Sequence, residues 1–148
     1  MSDFETLMFS PMPPLVVEGV AACSRLHKLW EAADREATLA EIAPRIRGIA
    51  TGGGHTTMGG DVLARFPKLE IVSSFGVGYD HIDATWAGKH GIVVANTPDV
   101  LNDEVADTTF GLLLSVVRQL PQADRYLREG RWLKAPFPLT ESTVPSPN

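Results

Sequence analysis

The sequence predicts an α/β protein: a parallel sheet with helices on both faces. Three observations carry this. Short apolar runs of strand character alternate with segments of helical spacing across residues 1–100. The run from Leu69 to Val72, apolar apart from Glu70, reads as a buried parallel strand. Between it and a short helix lies a turn with two glycines, the kind of junction that closes a βα unit. The chain has 148 residues, 44% of them hydrophobic and 21% charged, enough for a domain with a real core.

Each element has its own signal. Residues 7–9 form a short apolar strand, closed by Pro11, Pro13 and Pro14. Residues 15–24 carry apolar side chains at helical spacing, and Cys23 within them reads as a small core residue. Residues 25–30 alternate and read as a second strand. Asp34 can cap a helix that runs to about residue 42. A third strand covers 46–51, and Gly52-Gly53-Gly54-His55 is a turn at its carboxyl end. Residues 61–64 sit in the next helix, which stops before Pro67. Strand four is 69–73. The helix at 84–90 ends at Gly91, and strand five is 91–95, closed by Asn96-Thr97-Pro98.

Beyond residue 100 the character changes. Asn102 reads as an N-cap, with Asp103 and Glu104 in the first turn, for a helix running to about residue 120. Its middle, residues 110–117, is apolar most of the way round, which predicts burial on several sides. Pro121 opens a polar helix, and Gly130 ends it. From residue 133 onward the composition reads as an extended or disordered tail.

The turn Ser73-Ser74-Phe75-Gly76-Val77-Gly78-Tyr79-Asp80-His81-Ile82-Asp83 is the main candidate for chemistry. Gly76 and Gly78 permit positive φ and close approach of a ligand to the backbone. A row of N–H groups leading into a helix N-terminus suits an anion such as a carboxylate. The plain alternative is a tight turn with two glycines.

Other classes are excluded or disfavoured. The net charge of −5 gives no basic footprint for nucleic acid. No apolar run is long enough to span a membrane, and the acidic N-terminus lacks a signal-peptide pattern. The single cysteine makes no internal disulfide, so a reducing cytoplasm is expected. The four histidines are assigned to surface or packing roles, and no spacing suggests a metal. A phosphoacceptor regulator is disfavoured because Ser10 and Pro11, not an acidic cluster, follow strand one.

Four segments in order, 74–83, Gly91-Ile92-Val93-Val94-Ala95-Asn96-Thr97-Pro98, Val105-Ala106-Asp107-Thr108-Thr109, and Arg128-Glu129-Gly130-Arg131-Trp132, resemble the D-isomer-specific 2-hydroxyacid dehydrogenases, closest to their glyoxylate/hydroxypyruvate reductase branch. The resemblance covers about residues 5–140. It implies a flavodoxin-like substrate domain over 1–100, lacking its C-terminal segment, then an interdomain helical arm over 101–132 and a tail over 133–148. It implies that Val77 and Gly78, beside Gly76, hold a substrate carboxylate, that Gly53 and Gly54 lie on the same rim, and that Val105 and Thr109 approach an NADP or NAD cofactor. The family's Gly-rich dinucleotide turn and its catalytic arginine, glutamate and histidine find no match, so no catalytic residue is assigned. The expectation is the substrate half of an NAD(P)-dependent reductase, inactive alone, binding a small 2-oxo or 2-hydroxy acid and pairing as a homodimer through the arm. The alternative is a stand-alone flavodoxin-like module that binds a small anion or a protein.

Overall fold

The computed structural model describes residues 3–52 and 56–138. The chain divides into two compact units, Met1–Val100 and Leu101–Asn148. In the first, five strands form one parallel sheet: β1 (Glu5–Met8), β2 (Arg25–Lys28), β3 (Ile46–Gly52), β4 (Ile71–Phe75) and β5 (Val93–Ala95). Their spatial order is β2-β1-β3-β4-β5. The helices of this unit are α1 (Pro14–Cys23), α2 (Arg35–Ile42), α3 (Gly60–Leu63) and α4 (Ala84–Lys89).

The strand order dictates the layering. The chain moves one way from β1 to β2, then reverses and continues through β3, β4 and β5. Right-handed crossovers therefore put α1 on one face and α2, α3 and α4 on the other. In-register pairing aligns Leu7, Ile49, Val72 and Val94 across four strands on the three-helix face. Leu7, Ile49 and Val72 are buried there with Leu39, Ile42, Leu63 and Phe66. Each such side chain contributes roughly 1.5–3 kcal/mol. The opposite row is Thr6, Gly48, Ile71 and Val93. Against it α1 leaves a groove of about 390 Å³ bordered by Phe4, Val20, Cys23 and Ser73. None of the residues of α1 is buried. Cys23 is accordingly exposed, against the core position read for it.

Element ends shift where pairing or turn chemistry decides them. β1 starts at Glu5, not Leu7, because Glu5 already pairs with Arg25. β2 stops at Lys28, because Leu29–Glu31 closes into a 3-10 turn that buries Leu29. β4 begins two residues late, since the Leu69 N–H turns back to the Phe66 carbonyl at 3.0 Å. β5 begins at Val93 because Gly91 adopts φ 73°, the left-handed conformation that ends α4. The Asp34 cap forms as expected, its carboxylate accepting from the Ala37 N–H at 3.0 Å.

At the amino ends of β1 and β2 an ionic cluster ties strands that lie apart in sequence. The Glu5 carboxylate meets His27 Nε2 at 2.7 Å and Arg45 Nε at 3.3 Å. Burial works to raise the pKa of Glu5. The hydrogen bonds from His27 and Arg45 and their charges outweigh it, so Glu5 sits below the ordinary glutamate value.

The second unit holds α5 (Asn102–Val117) and α6 (Leu120–Arg128). Asn102 is the first helical residue of α5, not its cap; Leu101 takes the cap position and makes no side-chain cap bond. Gln119, at φ 54°, turns α5 into α6. α5 was expected to be buried on several sides, yet none of its residues is buried, for α6 is the neighbour its own unit supplies. Part of the expected tail is packed. The Tyr126 hydroxyl donates to the Ala135 carbonyl at 2.9 Å, and Phe137 meets the Tyr126 ring edge-on at 5.4 Å. Residues 139–148 lie outside the described residues. Among the described residues, no helix is long and apolar enough to cross a membrane.

Candidate functional site

The turn after β4 is held at both ends. At its start, the Gly76 N–H donates to Thr97 Oγ1 at 3.1 Å, and the Thr97 N–H donates to the Gly76 carbonyl at 3.0 Å. The Asn96 side-chain amide donates to the Val77 carbonyl at 2.7 Å. At its end, the Met58 N–H donates to the His81 carbonyl at 2.7 Å, and the Asp83 N–H donates to the Met58 carbonyl at 2.9 Å. The Asp83 carboxylate then caps α4 by accepting from the Trp86 N–H at 2.8 Å.

Between these anchors lie Val77, Gly78, Tyr79 and Asp80, all exposed. The Val77 and Gly78 N–H groups make no hydrogen bond among the described residues. They are therefore two consecutive donors open to solvent at the carboxyl end of a parallel strand, where α/β sheets place ligands. A carboxylate, which only accepts hydrogen bonds, matches two such donors. Gly76 does not share this role, since its N–H is taken by Thr97.

Two expectations for this turn are corrected. Neither Gly76 nor Gly78 adopts positive φ; among the described residues the glycines that do are Gly91 and Gly130. Their value here is openness, because an added Cβ at Gly76 meets one atom within 4 Å, the Gly78 carbonyl oxygen at 3.8 Å. The helix N-terminus also contributes no anion site, because α4 is six residues long and its first turn is already occupied by Asp83. A hollow of about 340 Å³ shares Tyr79 and Asn96 with the turn and is lined further by Ala84, Gly88, Ile92 and Val94.

The other sequence-derived site residues fare unevenly. Gly53 and Gly54 lie outside the described residues. Val105 is exposed on α5, and the Thr109 hydroxyl donates to the Val105 carbonyl at 2.7 Å within the helix. Both belong to the second unit. Among the described residues, no group of three histidine, cysteine or acidic side chains could hold a metal ion. His27 pairs with Glu5, and His90 stacks on Trp86 with ring centroids 3.7 Å apart. Sequence reading missed Asn96 and Thr97 as contacts of the turn. The available signal was two short hydrogen-bonding side chains directly after the strand that neighbours β4. It also missed that Ser74 Oγ and His81 Nε2 are buried with no hydrogen-bond partner among the described residues.

Comparison with known proteins bears on family and fold. Residues 7–144 match the family described as D-isomer specific 2-hydroxyacid dehydrogenase, catalytic domain. A glyoxylate/hydroxypyruvate reductase A of Arabidopsis thaliana is 37% identical over 142 residues, covering 95% of this chain and 44% of that protein. An NADPH-dependent glyoxylate/hydroxypyruvate reductase of Sinorhizobium meliloti, solved with citrate, superposes with a TM-score of 0.81 at 41% identity, covering 97% of this chain and 44% of that one. The same reductase solved with NADP and malonate gives a TM-score of 0.77 at 40% identity, with the same coverage. The chain thus spans less than half the length of the relatives it matches.

Proposed function

This chain belongs to the D-isomer-specific 2-hydroxyacid dehydrogenase family, and from that premise we propose that it is the substrate-binding portion of an NAD(P)-dependent glyoxylate/hydroxypyruvate reductase. In this reading residues 1–100 form the substrate domain, 101–132 an interdomain arm and 133–148 a tail. Val77 and Gly78 hold the carboxylate of a small 2-oxo acid through their backbone N–H groups. Gly76 gives the turn its open shape, and Gly53 and Gly54 belong to the same rim by resemblance. The observation that carries the reading is the pair of unengaged, exposed amides at the carboxyl end of β4. Support comes from the Sinorhizobium reductase, which was solved with citrate and with malonate, both carboxylates.

When bound, a nicotinamide supplies the hydride; the part of this chain is to hold and orient the acid that receives it. Val105 and Thr109 fit a dinucleotide poorly as polar contacts. The Thr109 hydroxyl is spent on a helix carbonyl, and Val105 offers methyl groups. They serve at most as a surface the cofactor lies near, so the chain alone binds no NADP or NAD tightly and transfers no hydride. The arm pairs with a second copy through its exposed apolar side chains, and the reducing cytoplasm is the compartment.

The test is an amide-resolved titration of the chain with glyoxylate and, as control, glycolaldehyde, which has the same two-carbon skeleton without the carboxylate. Glyoxylate is expected to shift the Val77 and Gly78 amides, and glycolaldehyde to leave them in place. Equal responses to both, or none to either, would remove the carboxylate role. In parallel, the chain mixed with NADH or NADPH and glyoxylate should show no loss of nicotinamide absorbance above a blank.

A further inference from the structure

We infer that Asn96 and Thr97 are positioning residues for this carboxylate site: they set the two peptide planes that carry the Val77 and Gly78 N–H groups. The inference rests on the reading of the turn given above.

No peptide bond in the described chain is cis. In a trans peptide, the carbonyl of one residue and the N–H of the next share a plane and point in opposite directions. The Gly76 carbonyl accepts from the Thr97 N–H, so the Val77 N–H on the same plane points away from the loop after β5. The Val77 carbonyl accepts from the Asn96 side-chain amide, so the Gly78 N–H also points away from that loop. Two adjacent residues thus orient two adjacent planes, and both free donors leave on the side opposite the residues that hold them. The Thr97 hydroxyl, by accepting from the Gly76 N–H, engages the donor that precedes this pair.

Satisfying the backbone does not explain the Asn96 bond. The bond lies at the surface, where water could serve the Val77 carbonyl equally well. The far end of the turn is already fixed by Met58 and Asp83. What the side-chain amide adds is direction. It also adds polarisation, because an amide whose carbonyl accepts a hydrogen bond becomes a stronger donor at its N–H. Asparagine suits the task because it is short and presents a neutral donor; an aspartate would set an acceptor against a carbonyl.

The experiment uses the isotope-labelled chain and the variants Asn96→Ala, Thr97→Val and Thr97→Ser. Without ligand, residual dipolar couplings of the Val77 and Gly78 amides should change in Asn96→Ala, while those of Ile49 and Val72 in the core stay as in the wild type. With glyoxylate, Asn96→Ala should bind roughly three- to ten-fold more weakly, the scale of one hydrogen bond. Its melting temperature should be unchanged, and Thr97→Val and Thr97→Ser, which both keep the backbone N–H that holds the Gly76 carbonyl, should bind like the wild type. Wild-type affinity in Asn96→Ala would overturn the inference and leave the carboxylate site standing. No glyoxylate response in the wild type would remove the site itself. The couplings then still decide the orienting role, because values unchanged in Asn96→Ala would overturn it.

Discussion

Replacing Gly78 with valine separates the ligand from the turn. An added Cβ at this position meets a single atom within 4 Å, Asp80 Oδ2 at 3.2 Å. That atom is the free end of an exposed side chain and can swing aside. The backbone of Gly78 is outside the left-handed region, so a β-branched residue fits without strain. Loss of a glycine also narrows the unfolded ensemble, which favours the folded chain by about 0.4–1 kcal/mol. Stability should therefore stay within about 1 kcal/mol of the wild type. The ligand sees a different change. An isopropyl group beside the Gly78 N–H keeps a carboxylate oxygen from reaching it and costs at least one charge-assisted bond, about 1.5–3 kcal/mol, or roughly 10- to 150-fold in affinity. Thermal melts and glyoxylate titrations of both chains measure the two effects. Equal affinity at equal melting temperature would remove Val77 and Gly78 from the site. A large loss of stability would refute the claim that the turn has room.

Three further outcomes are expected. Gly60→Ala should destabilise by about 1–3 kcal/mol, since its Cβ would stand 2.6 Å from Trp86 Cδ1, on a ring already stacked against His90. Gly59→Ala, whose Cβ would meet only the mobile Asp61 carboxylate, is the control, and equal melting temperatures for the two would contradict this account. Glu5→Gln should lower stability at neutral pH by about 1–2 kcal/mol. Because the folded pKa of Glu5 is depressed, its contribution is full above the ordinary glutamate value and is lost as pH falls through the folded value. The gap between the two chains should close in acid, and a gap that persisted there would show that packing, not charge, is involved. Finally, α5 exposes Phe110, Leu112, Leu113 and Val116; light scattering over a range of concentrations should report a dimer, and a monomer mass that persists at high concentration would rule out pairing through the arm.

The alternation of strands and helices was legible because it depends on local periodicity, and so was the Asp34 cap, which needs a partner only three residues away. Strand ends were less so, because a strand runs as far as its neighbours pair with it, and the partner of Glu5 is Arg25. The Glu5, His27 and Arg45 cluster had no sequence signal, since parallel pairing brings together residues 22 and 40 positions apart. The open amides were legible as a glycine turn; of the two properties read for its glycines, positive φ is not used and open space is. α5 was misread for a different reason: an all-round apolar pattern predicts that a helix has partners, not that its own unit provides them.

The position of β1 in the sheet also bears on how the chain assembles as it is made. β1 leaves the ribosome before β2 and β3 and ends up flanked on both sides by them. Its β2 side can close once residues 25–28 emerge, but its other side must wait for β3, which begins at Ile46. During that interval Thr6, Leu7 and Met8 form an open hydrogen-bonding edge next to buried-type side chains, the arrangement most prone to pair with a neighbouring chain. The same interior placement that covers both edges of β1 in the finished sheet leaves one of them open during synthesis.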